Sequence, residues 1–241
     1  MKEAAFDCDL LRIEFATNGF AVVRGFCERS EIDDLNGVID AFISRVPTIP
    51  DTVAFYVDED RPESITQLQL LDKYDDTLRQ LFHSERMVGL ACYLLGEEVV
   101  PKAMEWFAKP PRIGKPTPPH QDAFYWQLGP SSALTLWLSL DRIDETNGCI
   151  RYIPGSHLLP LRPHNDTNTI GFSMGITDYC EMDIDAESAV VTSPGDLIVH
   201  HANVAHRANP NVSAQTRRAL GLVYFSGSPR RAHVKSRYPK K

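Results

Sequence analysis

Cysteine is scarce in this 241-residue sequence, and the five present (Cys8, Cys27, Cys92, Cys149 and Cys180) are scattered and odd in number. No CxxC occurs, so neither a cysteine zinc site nor a disulfide framework is suggested. Positive charge is not in excess either. The formal net charge is −7, which argues against a broad basic face for nucleic acid. No apolar run approaches a membrane span, and the opening "MKEAAFDCDLLRIEF" has no apolar core of a secretory leader. Internal repeats and low-complexity tracts are also missing. These absences predict a cytoplasmic protein without nucleic-acid or membrane partners, its oligomeric state left open. The basic ending "RRAHVKSRYPKK" reads as a solvated tail.

What is present suffices for one sizeable core, with 43% hydrophobic residues. The first hundred residues read as mostly helical. Ser30 is placed to cap "EIDDLNGVIDAFISRV", where Ile32, Leu35, Ile39, Phe42, Ile43 and Val46 recur at helical spacing. Asp72 to Leu95 reads as one or two helices, with Ser84 as a cap and Gly96 as a stop. "FAVVRGF" (Phe20–Phe26) reads as a short strand.

After Gly96 the texture changes to short strands separated by Gly, Pro, Asn and Asp. They are Ala103–Lys109, His120–Asp122, Ala133–Leu140, Cys149–Ile153, Ile170–Met174, Ala189–Thr192, Asp196–His200 and Arg217–Phe225. Such a series predicts a sandwich or barrel. The fold class is therefore mainly β with flanking α-helices, as one domain over residues 1–241. Within it, residues 1–100 pack outside, 101–227 form the barrel and 228–241 the tail.

The stretch "PPHQDAFYW" sets His120 and Asp122 two residues apart. In a strand such residues share a face, about 6.6–6.8 Å apart. Taken alone, the pair reads as a surface feature beside a turn. Some eighty residues later His200, His201 and His206 compete as a third partner. Two histidines and a carboxylate on one face of a metal leave open positions, as in non-haem iron(II) oxygenases. Zinc hydrolases also use that set. On the last strong strand, Arg217, Ala219 and Gly221 share one face while Arg218, Leu220 and Leu222 share the other. An arginine beside small residues has room for a ligand, and its planar fork suits a carboxylate. On Ala133–Leu140, the face bearing Thr135, Trp137 and Ser139 suits a pocket wall.

In combination, "TPPHQDAFYW", "LTLWLSLDRIDETNGCIRYIPGSH" and "SPGDLIVHHANVAHRANPNVSAQTRRA" resemble the phytanoyl-CoA dioxygenase family of iron(II)- and 2-oxoglutarate-dependent oxygenases. The resemblance covers Lys109 to Phe225 well and the N-terminal part loosely. It implies a double-stranded β-helix, the jelly roll of cupin-like barrels. It implies His120, Asp122 and His206 as iron(II) ligands, Arg217 as the anchor of the distal carboxylate of 2-oxoglutarate, and Trp137 as a wall of that pocket. Oxygen would be the second co-substrate, and the outcome hydroxylation of a small molecule with release of succinate and CO2. A halogenase is disfavoured, because those relatives leave vacant the ligand position that Asp122 fills.

Two positions depart from the family. Ala208 stands where a serine is frequent, and Glu105 stands where an uncharged residue is frequent, near the co-substrate. Glu105 either faces outward or meets a cationic substrate group. Phe124 and Trp126 either stack on substrate or pack in the barrel wall. Gln67, with Gln69, Lys109 and Arg112, is a candidate at the pocket mouth, and His157 reads as structural. Two other functions compete: a cupin-like metal protein that binds a small ligand without turnover, and a zinc hydrolase on a similar barrel.

Overall fold

The computed structural model describes residues 6–49, 54–126, 133–169 and 171–227. The basic tail, and Ile170 at the start of one expected strand, lie outside the described residues. Helix α1 (Cys8–Asn18) starts where the Asp7 carboxylate accepts hydrogen bonds from the amides of Asp9 and Leu10. It stops at Gly19, whose φ of 81° suits a residue without a side chain. Strand β1 (Phe20–Val23) follows, then helix α2 (Arg29–Arg45).

The cap of α2 is Glu28, not Ser30, which lies inside the first turn. The Glu28 amide donates to Glu31 Oε2 at 2.7 Å, so a carboxylate meets both an orphan donor and the positive helix end. Ile32, Leu35, Ile39 and Phe42 are buried as their spacing requires, while Ile43 and Val46 are only partly covered.

The mostly helical first hundred residues also contain a hairpin. Strands β2 (Ala54–Tyr56) and β3 (Ile65–Gln69) pair with each other, and β3 continues the larger sheet. They are too short for periodicity to reveal, and β3 carries Gln67 and Gln69. Helices α3 (Leu71–Tyr74), α4 (Asp76–Phe82) and α5 (Glu85–Leu95) then cover the sheet. Ser84 caps α5 by accepting from the Met87 amide at 3.4 Å, and Gly96 ends it at φ 72°.

The rest of the chain is largely strand. In order come β4 (Val99–Lys109), β5 (Thr117–His120), helix α6 (Asp122–Trp126), β6 (Ala133–Ser139) and β7 (Ile150–Tyr152). Then come β8 (His164–Thr169), β9 (Phe172–Ile176), helix α7 (Glu181–Asp185) and β10 (Ser188–Val190). β11 (Leu197–His201), β12 (His206–Ala208) and β13 (Arg217–Ser226) complete the series. Among the described residues, the larger sheet has the order β1-β11-β6-β13-β4-β3-β2 and the smaller β10-β7-β12-β5, with β8–β9 as a separate hairpin. All of these pairs are antiparallel. Two antiparallel sheets wound in this way form a jelly roll.

The faces of two central strands decide where the site lies. Leu134, Leu136 and Leu138 on β6, with Leu220 and Leu222 on β13, join a core shared with Ile39, Phe42, Phe82 and Met87 of the helices. Each such side chain contributes about 1.5–3 kcal/mol by leaving water. Thr135, Trp137, Arg217 and Gly221 point the other way, into a cavity of about 620 Å³.

Candidate metal centre and cofactor pocket

The expected pair does not share one strand. His120 is the last residue of β5 and Asp122 opens α6, so the chain turns between them. The turn carries the carboxylate back over the imidazole: His120 Nε2 lies 3.5 Å from Asp122 Oδ1. β12 pairs with β5 so that His206 stands directly opposite His120, ring centroids 4.2 Å apart. His206 Nε2 is 3.8 Å from the same Oδ1. Donor atoms of the three residues all lie within 4.8 Å of one another.

The hydrogen bonds behind these rings test whether a metal fits. His120 Nδ1 lies 2.8 Å from Pro118 O, and His206 Nδ1 lies 3.0 Å from Val204 O. A carbonyl only accepts, so each Nδ1 carries the proton and each Nε2 turns a lone pair inward. Burial foremost pushes the His206 imidazole down to about 3, which keeps it neutral. Burial also opposes a charge on Asp122, yet the neighbouring imidazoles hold its carboxyl well below the usual range. Three lone-pair donors thus converge on one point with no proton between His206 and Asp122. A cation there resolves that arrangement. Ligands at right angles and about 2.0–2.2 Å from a metal stand about 3 Å apart. The observed 3.5 and 3.8 Å are within a small inward movement of that spacing.

Sequence reasoning missed the group that holds Asp122. His200 Nδ1 lies 2.9 Å from the Tyr152 hydroxyl, and its Nε2 lies 3.3 Å from Asp122 Oδ2. The consistent assignment has Tyr152 donating to Nδ1 and Nε2–H donating to the carboxylate. Thr135 Oγ1 donates to the same oxygen at 3.2 Å, which leaves Oδ1 facing the histidines. His201 points to the opposite side of β11, against Phe15 and His157. His157 Nε2 lies 3.2 Å from Ala16 O, outside the cavity.

A second part of the cavity gathers buried donors that no carboxylate meets among the described residues. Arg217 is buried, and its Nε and Nη2 both donate to Gly148 O at 3.1 and 2.8 Å. Its guanidinium lies over the Trp137 ring, 5.3 Å from the centroid. Burial pulls this arginine down to about 10. Lys109, expected at the mouth, is buried instead, donating to Lys115 O and to Thr117 Oγ1 at 3.3 Å. Burial and then Arg217 hold its amine well below the usual lysine range. Trp137 Nε1 is buried with no partner. Among the described residues no carboxylate forms an ion pair with either cation. A dianion is the ligand that such a donor set fits.

The remaining candidates divide. Gln67, Gln69, Glu105 and Trp126 line the cavity, as does Ala208. Glu105 faces inward, and burial followed by the Asp122 charge pushes its carboxyl up to about 7. Phe124 does not line the cavity: it stacks on His164 with centroids 4.2 Å apart. The helical turn of α6 accounts for this, because it carries Phe124 and Trp126 to different sides. Arg112 is outside as well, on a turn at φ 64°.

The model of the phytanoyl-CoA dioxygenase (PhyH) family matches residues 15–219. The chain belongs to the phytanoyl-CoA dioxygenase family. It is an oxidoreductase of the iron(II)- and 2-oxoglutarate-dependent class, on the jelly roll described above. Among curated relatives, a probable alpha-ketoglutarate-dependent hypophosphite dioxygenase of Stutzerimonas stutzeri is 27% identical over 218 residues, covering 88% of this chain and 76% of that one. The peroxisomal phytanoyl-CoA dioxygenase of Bos taurus is 25% identical, covering 87% of this chain and 66% of its own length. Among solved structures, EvdO2 from Micromonospora carbonacea var. aurantiaca superposes with a TM-score of 0.79 at 28% identity, covering 99% of this chain and 98% of its own. No helix among the described residues is long and apolar enough to cross a membrane.

Proposed function

We propose that this dioxygenase hydroxylates an aliphatic carbon of a small molecule, with iron(II) held by His120, Asp122 and His206 and 2-oxoglutarate held by Arg217. The observation that carries this reading is one cavity in which three inward lone-pair donors adjoin a buried, donor-only pocket. Bound together, iron(II) and 2-oxoglutarate supply oxygen activation coupled to decarboxylation to succinate and CO2.

This chain's own residues have distinct parts in that chemistry. Arg217 offers its unbonded guanidinium edge to the distal carboxylate, and the Lys109 amine is a second donor, on the strand position opposite. Trp137 forms one wall, stacked on Phe107 with centroids 4.9 Å apart, and leaves its Nε1–H for an oxygen of the ligand. His200 and Thr135 fix the Asp122 carboxylate so that one oxygen stays toward the metal. The aromatic walls exclude water from the reacting carbon. Gly221 keeps the floor open, since a Cβ there would lie 3.1 Å from the Phe107 ring.

The test is an anaerobic titration with iron(II) and then 2-oxoglutarate, following the visible charge-transfer band, before oxygen is admitted and succinate measured. A saturable band and oxygen-dependent succinate are expected. Metal binding with neither band nor succinate would instead establish a ligand-binding protein. Oxygen-independent turnover supported by zinc would establish a hydrolase. Scattered, unpaired cysteines favour a cytoplasmic site of action, which fractionation checks.

A further inference from the structure

The end of the cavity lined by β3 and β4 has the opposite chemistry to the Arg217 end. Glu105 lies on the inward face of β4, opposite Gln69 on one neighbouring strand and Gly221 on the other. Its carboxylate has one hydrogen bond, a long one of 3.4 Å from Gln67 Nε2. That bond orients the Gln67 amide so that Oε1 is left buried without a partner among the described residues. No lysine or arginine forms an ion pair with Glu105 among them. Lys109 shares its strand face but lies four residues on, about 13 Å along the chain.

A half-buried carboxylate and a buried amide oxygen therefore sit together, both acceptors, with no cation paired to them among the described residues. Leaving a charge in that state is unfavourable, and the upward displacement of the Glu105 carboxyl to about 7, from burial first and Asp122 second, records the same deficit. The same cavity is also lined by the aromatic side chains of Tyr56, Tyr125, Trp126 and Phe172. Aromatic faces and a carboxylate together favour a positively charged nitrogen over an anion.

We propose that the primary substrate carries a cationic nitrogen, as an ammonium, amidinium or guanidinium group, which docks against Glu105 and Gln67. The inference deepens the dioxygenase reading and rests on it for the substrate's fate, but not for the existence of the binding site. The two ends of the cavity then sort ligands by charge. The dianionic co-substrate is drawn to Arg217 and Lys109, and the cationic substrate to Glu105. A neutral isostere would leave the carboxylate unpaired, and an anionic substrate would be repelled from it.

The experiment uses the protein under nitrogen with iron(II) and 2-oxoglutarate, and ligand-observed NMR as the readout. The probes are hexylamine and benzylamine, each against its N-acetyl counterpart. The amine is expected to bind at least tenfold more tightly than its neutral partner. Glu105→Gln should bring the two within about twofold, while Glu105→Asp, which keeps the charge, should retain the preference. Equal binding of both members in the unmodified protein overturns the proposal, as does a preference that survives Glu105→Gln. Tighter binding of the acetylated members also overturns it, since that outcome makes Glu105 a protonated donor. Binding of 2-oxoglutarate, followed in the same samples, reports separately on the enzyme reading. Its absence beside an intact amine preference would refute the dioxygenase and leave the cation site standing.

Discussion

Arg217 and Lys109 stand directly opposite each other on β13 and β4, two buried basic side chains with no carboxylate paired to either among the described residues. Like charges at opposed positions of a sheet repel. Burial and this repulsion disfavour a charge on Lys109, and a dicarboxylate bound as proposed would relieve that. Lys109→Met is expected to raise the thermal midpoint of the ligand-free protein and to remove most of its stabilisation by 2-oxoglutarate. For the parent protein that stabilisation is about 2.7 kcal/mol at a hundredfold excess over Kd. Thermal melts with and without 2-oxoglutarate decide it. A lower midpoint for the ligand-free variant would mean that the lysine is a structural donor to Lys115 and Thr117 instead.

Neighbouring arginines separate co-substrate binding from surface pairing. Arg218 points away from the cavity and makes a two-pronged bond to Asp141, at 3.0 and 2.9 Å. Arg217→Lys keeps the charge and loses the planar fork, so the Kd for 2-oxoglutarate should rise roughly ten- to a hundredfold. Arg218→Lys should leave that Kd within about twofold and cost at most about 1 kcal/mol of stability. The 2-oxoglutarate dependence of succinate formation distinguishes them, and a larger effect at Arg218 would reverse the assignment.

Removal of one metal ligand should act on affinity before it acts on fold. Asp122→Ala, His120→Ala and His206→Ala are each expected to weaken iron(II) binding by at least about a hundredfold, with an unchanged circular dichroism spectrum. Equilibrium dialysis with metal analysis measures this. Undiminished binding in any of the three removes that residue from the set.

On the proposed ligand set, His200 would act on the metal through Asp122. His200→Phe leaves Asp122 Oδ2 with only the Thr135 bond, and metal affinity should fall roughly ten- to a hundredfold. Tyr152→Phe, which removes the hydroxyl that fixes the His200 ring, should produce a smaller loss in the same dialysis assay. His201→Asn, on the other side of the strand, should leave affinity unchanged. Equal losses at His200 and His201 would point to a general loss of packing.

Acid should destabilise the protein through His201. Burial, then His157 and His200, push this imidazole from 6.5 down to about 4, so the neutral ring is the native form. As pH falls, the unfolded chain takes up the proton first. The contribution is thus complete above about 6.5 and is lost as pH drops through about 4, amounting to about 3 kcal/mol across that window. Urea unfolding of the parent and of His201→Asn at pH 7, 5.5 and 4.5 checks the sign. The variant should lose less stability per pH unit, and identical slopes would exclude the residue.

Much of this was legible from residue order alone, because strong alternation leaves little freedom. On β13 the bulk of Leu220 and Leu222 against Ala219 and Gly221 fixed which arginine faces inward, and the sheet register agrees. β6 was readable for the same reason. Short elements were not. β12 has three residues and β3 five, below the length at which a period of two stands out. Lys109 reads as a candidate at the mouth, whereas its buried position depends on pairing with a strand more than a hundred residues away. The geometry at Asp122 escaped the strand pattern because the chain leaves extended structure at Gln121, whose side chain bonds Asn203 O at 2.6 Å across the fold.

The imidazoles of His120, His164 and His206 share a small device: each sets its Nδ1 against the carbonyl two residues earlier, those of Pro118, Arg162 and Val204. Such a contact is made by the chain with itself and asks nothing of distant elements. The two rings at the candidate metal site are therefore aimed by their own local backbone. An ion entering this site would meet rings already turned toward it. Loading would then ask little rearrangement of these two rings.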